Sequence, residues 1–402
     1  MVDLITSFIA SLDIASLTEI SKFFDTYTYP LLFFIWILLA IHYVREMKIK
    51  MKMEKTKKTK TREQREQWEE QWKERQNFVF RKQIIVLLLS AIIVTCVVSV
   101  LKSVYNVPRP CFGNDGLQSK IPCPSDESFP SGHATATAMF IPAFLGMEVF
   151  PFYLVFYLIV AFSRIYLGVH TFTDVIAGSL IGIVVYFISD LIVNRNDSFF
   201  EYGGKEKGRL PLKKEIARQF FHMLFGIGVL MMYYYFNAAG MAEIINICLF
   251  IGFVAGLYLL SLKLSRKEIP LVDGLLKEME RPSTIQGYGS FWYVIGLLFI
   301  LSFLNNPLEV MAAVFIMSVS DGVSTLIGRY GKRRLFYNKK KTLEGSVAFF
   351  LCSLFTYPIL GPISIILALL ATIVESIPIL DDNITLPIAM IIFFSCCNVI
   401  VS

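Results

Sequence analysis

The stretch SRIYLGVHTFTDVIAGSLIGIVVYFISDLIV, residues 163–193, decides the fold. Its second part stays apolar long enough for a helix, rising about 1.5 Å per residue, to cross about 30 Å of hydrocarbon. A segment in lipid must satisfy its own backbone polar groups, and a helix does so internally. The first part places Arg164, His170 and Asp174 at the edge of that span. Ionisable groups are costly at such a position, so their presence there points to function.

The rest of the chain repeats the apolar theme. Hydrophobic residues make up 55% of the 402 and charged residues only 17%, a balance that excludes an ordinary soluble domain. Spans are predicted near 28–44, 83–101, 134–149, 151–167 and 173–193. A second group lies near 217–236, 244–262, 290–304, 307–327, 345–359, 361–377 and 384–401. The expected fold class is all-α: a polytopic integral membrane protein with about twelve transmembrane helices in two fused bundles. Residues 1–27 lack a basic start before an apolar core, so no cleavable signal peptide is expected. No internal repeat relates the halves.

Lysine and arginine placement predicts orientation. Segments 45–82, 194–219, 262–290 and 328–344 hold 14, 7, 5 and 7 of the 38 basic residues, which assigns them to the cytoplasmic side. The others are Lys22, Lys102, Arg109, Lys120 and Arg164. Four domains follow. Residues 1–82 supply a first span and a basic, helix-prone insert, and 83–193 a first catalytic core. The polar 194–214 segment, with paired glycines and a proline, is a linker, and 215–402 is a second domain. The insert reads as a solvated juxtamembrane helix attracted to anionic lipid headgroups; no nucleic-acid partner is expected. Cys96, Cys248, Cys352, Cys396 and Cys397 fall in apolar runs and read as buried small hydrophobes. Cys111 and Cys123 flank a loop assigned to the outside, where a disulfide is permitted.

Three segments in the first core carry phosphate chemistry: KSVYNVPRP (102–110), PSGH (130–133) and SRIYLGVHTFTD (163–174). Hydrolysis of a phosphate ester needs cations on the equatorial oxygens, an in-line nucleophile and a proton for the leaving oxygen. Lys102, Arg109 and Arg164 supply the cations, the arginines with bidentate geometry. Ser131 and Gly132 open a predicted span, where backbone amides can hold an anion. His170 and Asp174 are four apart, on one helix face, so the carboxylate can fix the imidazole tautomer. These motifs resemble the type-2 phosphatidic acid phosphatase superfamily over about residues 83–193. The resemblance implies that His170 attacks phosphorus with Asp174 orienting it, that His133 protonates the leaving group, and that the rest cradle the phosphate, without a cofactor.

The second half carries another set: EIARQFFH (215–222), ERPSTIQGYGSFW (280–292), SDGVSTLIGRYGKRR (320–334), NKKKTLEGS (338–346) and ESIPILDDN (375–383). Glu215, Arg218 and His222 share one helical stripe, a possible kinase-site face. A nucleoside triphosphate brings Mg²⁺, which takes carboxylate oxygens; Asp321, Asp381 and Asp382 can supply them. Lys339, Lys340 and Lys341, beside Thr342 and Gly345, offer charge and a close-approach backbone for phosphates, and Gly328 and Gly331 bracket the connection before them. Glu344 or Glu375 could activate an alcohol or hold a second metal ion. These segments resemble the dolichol kinase, phytol kinase and CTP-dependent diacylglycerol kinase family over about 215–402. That resemblance implies CTP as donor and Mg²⁺ as cofactor. Families of this kind often have Lys where this chain has Gln219.

Together the two resemblances imply a bifunctional enzyme of polyprenyl lipid carriers in the cell membrane. It would hydrolyse polyprenyl phosphate or pyrophosphate outside and phosphorylate polyprenol on the cytoplasmic face. The alternatives are a phosphatidate phosphatase fused to a diacylglycerol kinase or cytidylyltransferase, and a lipid transporter using the sites as headgroup receptors.

Overall fold

The computed structural model describes residues 4–57, 62–112, 119–194, 211–265, 287–377 and 381–401, with isolated positions at 267, 269 and 274. Most of the expected linker and the ERPSTIQ segment lie outside the described residues. Among the described residues the chain is helical without strands; one bridge pairs Arg334 with Thr342.

The N-terminal half contains α1 (Leu4–Ser11), α2 (Ala15–Lys57), α3 (Arg62–Tyr105), the short α4 (Gly132–Ala138) and α5 (Ile141–Phe144), α6 (Phe150–Tyr166) and α7 (Phe172–Asn194). The C-terminal half contains α8 (Leu212–Ala238), α9 (Glu243–Leu264), α10 (Tyr288–Phe303) and α11 (Pro307–Phe315), which runs through a π turn at Ile316–Ser320 into α12 (Asp321–Tyr330). It ends with α13 (Leu343–Ser353), α14 (Tyr357–Leu360), α15 (Ile363–Ser376) and α16 (Asp382–Val401). Among the described residues, six helical stretches are long and apolar enough to cross a membrane, and four more apolar helices are shorter. The chain is thus a polytopic helical membrane protein.

One expected span departs from its prediction. Residues 134–149 do not form a continuous helix; they break into α4 and α5, and Gly146 turns with φ +80°. Pro142 has no amide proton to continue the α4 ladder. The short α4 instead packs into the face of α7. A β-carbon on Gly178 would stand 2.6 Å from the Ser131 carbonyl oxygen, so only glycine allows this approach. That contact brings the Ser131 amide to the Asp174 carbonyl at 3.0 Å and so joins two of the three motifs.

The outer faces of the helices expose Ile92, Phe152, Val155 and Ile251, as lipid-facing surfaces do. Cys96, Cys248 and Cys396 are exposed on those faces rather than buried, because the surrounding solvent is itself apolar. Cys111 and Cys123 form a disulfide.

The two halves pack on each other. Phe187 of α7 meets Trp292 of α10 at 5.2 Å between ring centroids. Phe303, at the other end of α10, packs on Phe129 at 5.0 Å, and the Tyr105 hydroxyl reaches Ser395 of α16 at 3.4 Å. Asp382 opens α16 thirteen residues before Ser395, about 20 Å away at the helical rise. The two sets of motifs therefore lie toward opposite ends of the bundle.

Candidate active sites

The first site gathers at the mouth formed by the ends of α3 and α6 and the start of α7. Ser128, Ser131, Arg109, Arg164, His170 and Asp174 are all at most 5% exposed. Asp174, in the first turn of α7, accepts from the Thr171 amide at 2.8 Å and from the Ser128 hydroxyl at 2.6 Å. Its Oδ2 lies 3.6 Å from His170 Nδ1, and the Ser128 oxygen is 3.4 Å from the same nitrogen. Acceptors on this side assign the proton to Nδ1 and leave Nε2 unprotonated, with its lone pair accepting from Arg109 until another acceptor takes over that donor. Nε2 faces Arg109 Nη1 at 3.1 Å, the direction from which a phosphate held by that arginine would approach. Burial lowers the His170 pKa to about 4 against the pull of Asp174, with Arg164 and Arg109 adding to the effect. At neutral pH the imidazole is uncharged, as a nucleophile must be.

The cations are present and each has a counter-ion. Lys102 donates to Asp126 Oδ2 at 2.6 Å and to the Glu127 carbonyl. Arg109 donates to Asp126 Oδ1 and to its carbonyl, both at 2.8 Å. Partial burial works to raise the Asp126 pKa, but Lys102 and Arg109 prevail and hold it at about 2. Arg164 pairs with Asp25 of α2. The Asp25 carbonyl lies 3.3 Å from His133 Nε2, and Tyr29, one turn on, packs against the His133 ring at 4.8 Å with the planes tilted by 50°. Burial, followed by Arg164, lowers the His133 pKa to about 3; a bound phosphate dianion would raise it again. Two polar atoms in the site, Ser131 Oγ and Arg164 Nε, are buried without a hydrogen-bond partner. Such atoms suit a ligand rich in acceptors.

All the sequence-predicted residues of this site thus lie in one neighbourhood. Asp25, Tyr29, Asp126 and Ser128 were not foreseen. Asp25 and Tyr29 lie on α2, far from the motifs in sequence, and nothing local marks them. Ser128 and Asp126 sit two and four residues before Pro130, where the run of polar residues was the available signal.

The second site lies at the other end. Asp321, Glu375 and Asp382 bring one carboxylate oxygen each within 4.8 Å of one another. Lys341 Nζ sits 2.5 Å from Glu375 Oε1 and 2.7 Å from Asp382 Oδ2. Partial burial works to lower the Lys341 pKa; Asp382 and Glu375 outweigh it and raise it, so the ammonium is fixed. His222 Nε2 lies 3.8 Å from Asp321 Oδ2, while its ring packs on Tyr293 at 4.0 Å. The π turn just before Asp321 widens the helix there, a feature common at functional sites. An all-oxygen donor set suits a hard divalent cation, and the buried Glu375 Oε2 has no hydrogen-bond partner.

Asp381 stands apart from this cluster: its Oδ1 accepts from the Asn383 amide and side chain at 3.1 and 2.8 Å. The other predicted residues build the scaffold. Thr342 caps α13 by accepting from the Gly345 amide and donates to the Gly328 carbonyl, both at 3.2 Å. Glu344 accepts from the Lys332 and Arg333 amides at 3.0 and 3.2 Å. Arg218 pairs with Glu215 at 2.6 Å on the same helix, and Gln219 donates to Glu215 at 3.3 Å. Lys339 and Lys340 are exposed beside the cluster. Asn338, which donates to the Ser376 carbonyl at 2.9 Å, docks this loop on the end of α15 and aims Lys341 at Glu375. Asn338 and Ser324, which reaches Glu375 at 3.3 Å, were missed because their roles depend on a distant helix.

Comparison with known proteins agrees with both halves. Residues 83–198 match the PAP2 superfamily. An uncharacterized protein of Methanocaldococcus jannaschii is 32% identical over 43% of this chain and 89% of its own length. Phytol kinase 1 of Arabidopsis thaliana is 27% identical over 46% of this chain and 67% of its own length. The CTP-dependent diacylglycerol kinase 1 of Eremothecium gossypii is 29% identical over 36% of this chain and 45% of its own length. No solved structure matches. The chain is therefore a relative of the Methanocaldococcus jannaschii protein, with a PAP2-superfamily segment at residues 83–198 and a resemblance to phytol kinases and CTP-dependent diacylglycerol kinases.

Proposed function

We propose that the chain is a bifunctional enzyme of polyprenyl lipid carriers: a phosphatase for polyprenyl phosphate or pyrophosphate outside, and a CTP-dependent polyprenol kinase on the cytoplasmic face. The observation that carries the reading is the pair of oppositely charged sites. A cation cradle surrounds a neutral imidazole at one end of the helices, and a three-carboxylate cluster lies at the other. Basic residues concentrate in the segments flanking the carboxylate end, which supports a cytoplasmic position for it.

In the first site His170 Nε2 attacks phosphorus, and Asp174 stabilises the charge that appears on the ring. Lys102, Arg109 and Arg164 hold the equatorial oxygens, and His133 protonates the leaving prenyl or phosphate oxygen. Water then attacks the phosphohistidine, with His133 as base. In the second site Asp321, Glu375 and Asp382 would hold Mg²⁺, which would neutralise charge on the triphosphate of CTP. Lys341 can follow the transferring phosphate, and His222, beside Asp321, can accept the proton of the lipid alcohol.

Prenol is favoured over diacylglycerol because the phytol kinase similarity spans more of the chain, 46% against 36%. The test uses purified protein in detergent with prenyl and glycerol lipids. Phosphate release from prenyl phosphates, insensitive to chelator, is expected, together with chelator-sensitive transfer of label from γ-labelled CTP to prenol. Label entering lipid from the cytidine instead would replace the kinase with a cytidylyltransferase. Neither activity on either lipid class would end the reading.

A further inference from the structure

Asp126 belongs to no motif and takes no part in the chemistry above, yet Lys102 and Arg109 both hold it. Its Oδ2 is 2.6 Å from Lys102 Nζ and its Oδ1 is 2.8 Å from Arg109 Nη2, while its carbonyl anchors Arg109 Nε at 2.8 Å. The Asp126 side chain is 57% exposed and the Arg109 side chain 5%. The carboxylate therefore covers the two cations from the open side, where an incoming anion meets it first. It can swing out while its backbone carbonyl keeps Arg109 in place. Deeper in the site, Ser131 Oγ and Arg164 Nε lack hydrogen-bond partners.

We propose that Asp126 is a specificity-determining counter-ion, which keeps the cradle closed to the phosphodiester headgroups of the surrounding bilayer and yields to a terminal phosphate. The proposal rests on the phosphatase reading of this site. A phosphodiester brings one negative charge and two free oxygens, the same as a carboxylate. Exchanging Asp126 for it gains nothing in charge. It also gives up a ligand tethered in the same chain, whose effective concentration is high. A terminal phosphate brings up to two charges and a third free oxygen, enough to replace the carboxylate and still reach Ser131 Oγ and Arg164 Nε. The unequal exchange discriminates by penalising the wrong ligand. A site at the mouth of lipid-facing helices meets phosphodiesters continually, so such a penalty has a use.

The test compares the wild type with Asp126→Asn and Asp126→Glu in mixed micelles of a zwitterionic detergent, with phosphatidylglycerol as the phosphodiester probe. For phosphate release from a prenyl phosphate, phosphatidylglycerol should leave the wild-type KM within about twofold. It should raise that of Asp126→Asn about tenfold, the size expected for one charge-assisted contact, and Asp126→Glu should restore resistance. A second readout needs no turnover: the thermal stabilisation given by inorganic phosphate should survive phosphatidylglycerol in the wild type and vanish in Asp126→Asn. Equal sensitivity of wild type and Asp126→Asn in both readouts would overturn the proposal. So would a folded Asp126→Asn that binds phosphate but releases none, because Asp126 would then belong to the chemistry. Absence of phosphate release from the wild type would remove the phosphatase reading alone, with the stabilisation readout still judging Asp126.

Discussion

The two sites are electrostatic opposites. Around His170 the functional groups are cations, and carboxylates from outside the motifs, Asp25 and Asp126, neutralise them. Around Asp321 the functional groups are carboxylates, and one lysine, Lys341, bridges two of them. Each site supplies its own counter-ion, because charges at the edge of a low-dielectric core are costly when left unpaired. On the proposed reading each counter-ion gives way to a ligand of its own sign: an anion at the first site, and a cation with its bound phosphates at the second.

The largest effect that could break this comparison comes from exchanging the knock-outs. His170→Ala should reduce phosphate release on the order of 10⁴-fold or more, as loss of a nucleophile does, and leave CTP-dependent transfer within about twofold. Asp382→Asn should do the reverse. Both activities falling together in either variant, with the protein still folded, would mean a single shared site.

A smaller effect probes the pH behaviour. His170 must be neutral to attack, and its lowered pKa means that it protonates only below about 4. With an activated aryl phosphate, whose leaving group needs no proton from His133, kcat/KM for phosphate release should therefore stay flat from pH 7 to pH 5, once the substrate's own ionisation is corrected for, and fall as pH drops through 4. A histidine with the ordinary value near 6.5 would already lose about 30-fold by pH 5. An acid limb near 6.5 would show that His170 is solvated in the working enzyme.

Ser128→Ala comes next. It removes the 2.6 Å hydrogen bond that fixes Asp174 under His170 and should lower kcat about tenfold with KM little changed. Ser128→Thr, which keeps the hydroxyl, should recover most of the loss. A rise in KM alone would move Ser128 from positioning the nucleophile to holding substrate.

The two sites were unequally legible in the sequence. At the first, the candidate groups lie in short motifs at span ends, so local spacing together with the family resemblance pointed to Lys102, Arg109, Arg164, His170 and Asp174. At the second, the three nearest carboxylates come from α12, α15 and α16, and only the fold brings them together. Sequence reasoning chose Asp381 and Asp382 as equals because adjacent residues look alike; the helix start turns Asp382 into the cluster and Asp381 toward Asn383. The basic run 339–341 offers charge for phosphates as a block in the sequence; in the structure its members divide, with Lys341 turned in to Glu375 and Lys339 and Lys340 exposed. The span predicted at 134–149 failed for a related reason. Its apolar residues face neighbouring helices, and hydropathy cannot distinguish a helix buried in protein from one facing lipid.

The smallest effect tests whether the opposed sites are also mechanically separate. Phe303 belongs to the C-terminal half, yet it packs on Phe129 at 5.0 Å and on Tyr105 at 5.9 Å, and those two rings meet at 5.0 Å. Phe129 is two residues from Ser131, and Tyr105 is three from Lys102, so this aromatic cluster backs the cradle from across the boundary between halves. In lipid there is little hydrophobic drive to fill a gap, and an aromatic contact contributes about 0.5–1.5 kcal/mol through packing and ring geometry. Phe303→Ala should accordingly slow phosphate release about threefold to tenfold while CTP-dependent transfer changes by less than about twofold. Phe303→Tyr, which keeps the ring, should recover the rate. An equal loss in both activities would mean that the cluster holds the whole bundle rather than the first site. No loss in either would show that the PAP2-type half keeps its geometry unaided, and the packing between halves would then be adhesive rather than functional.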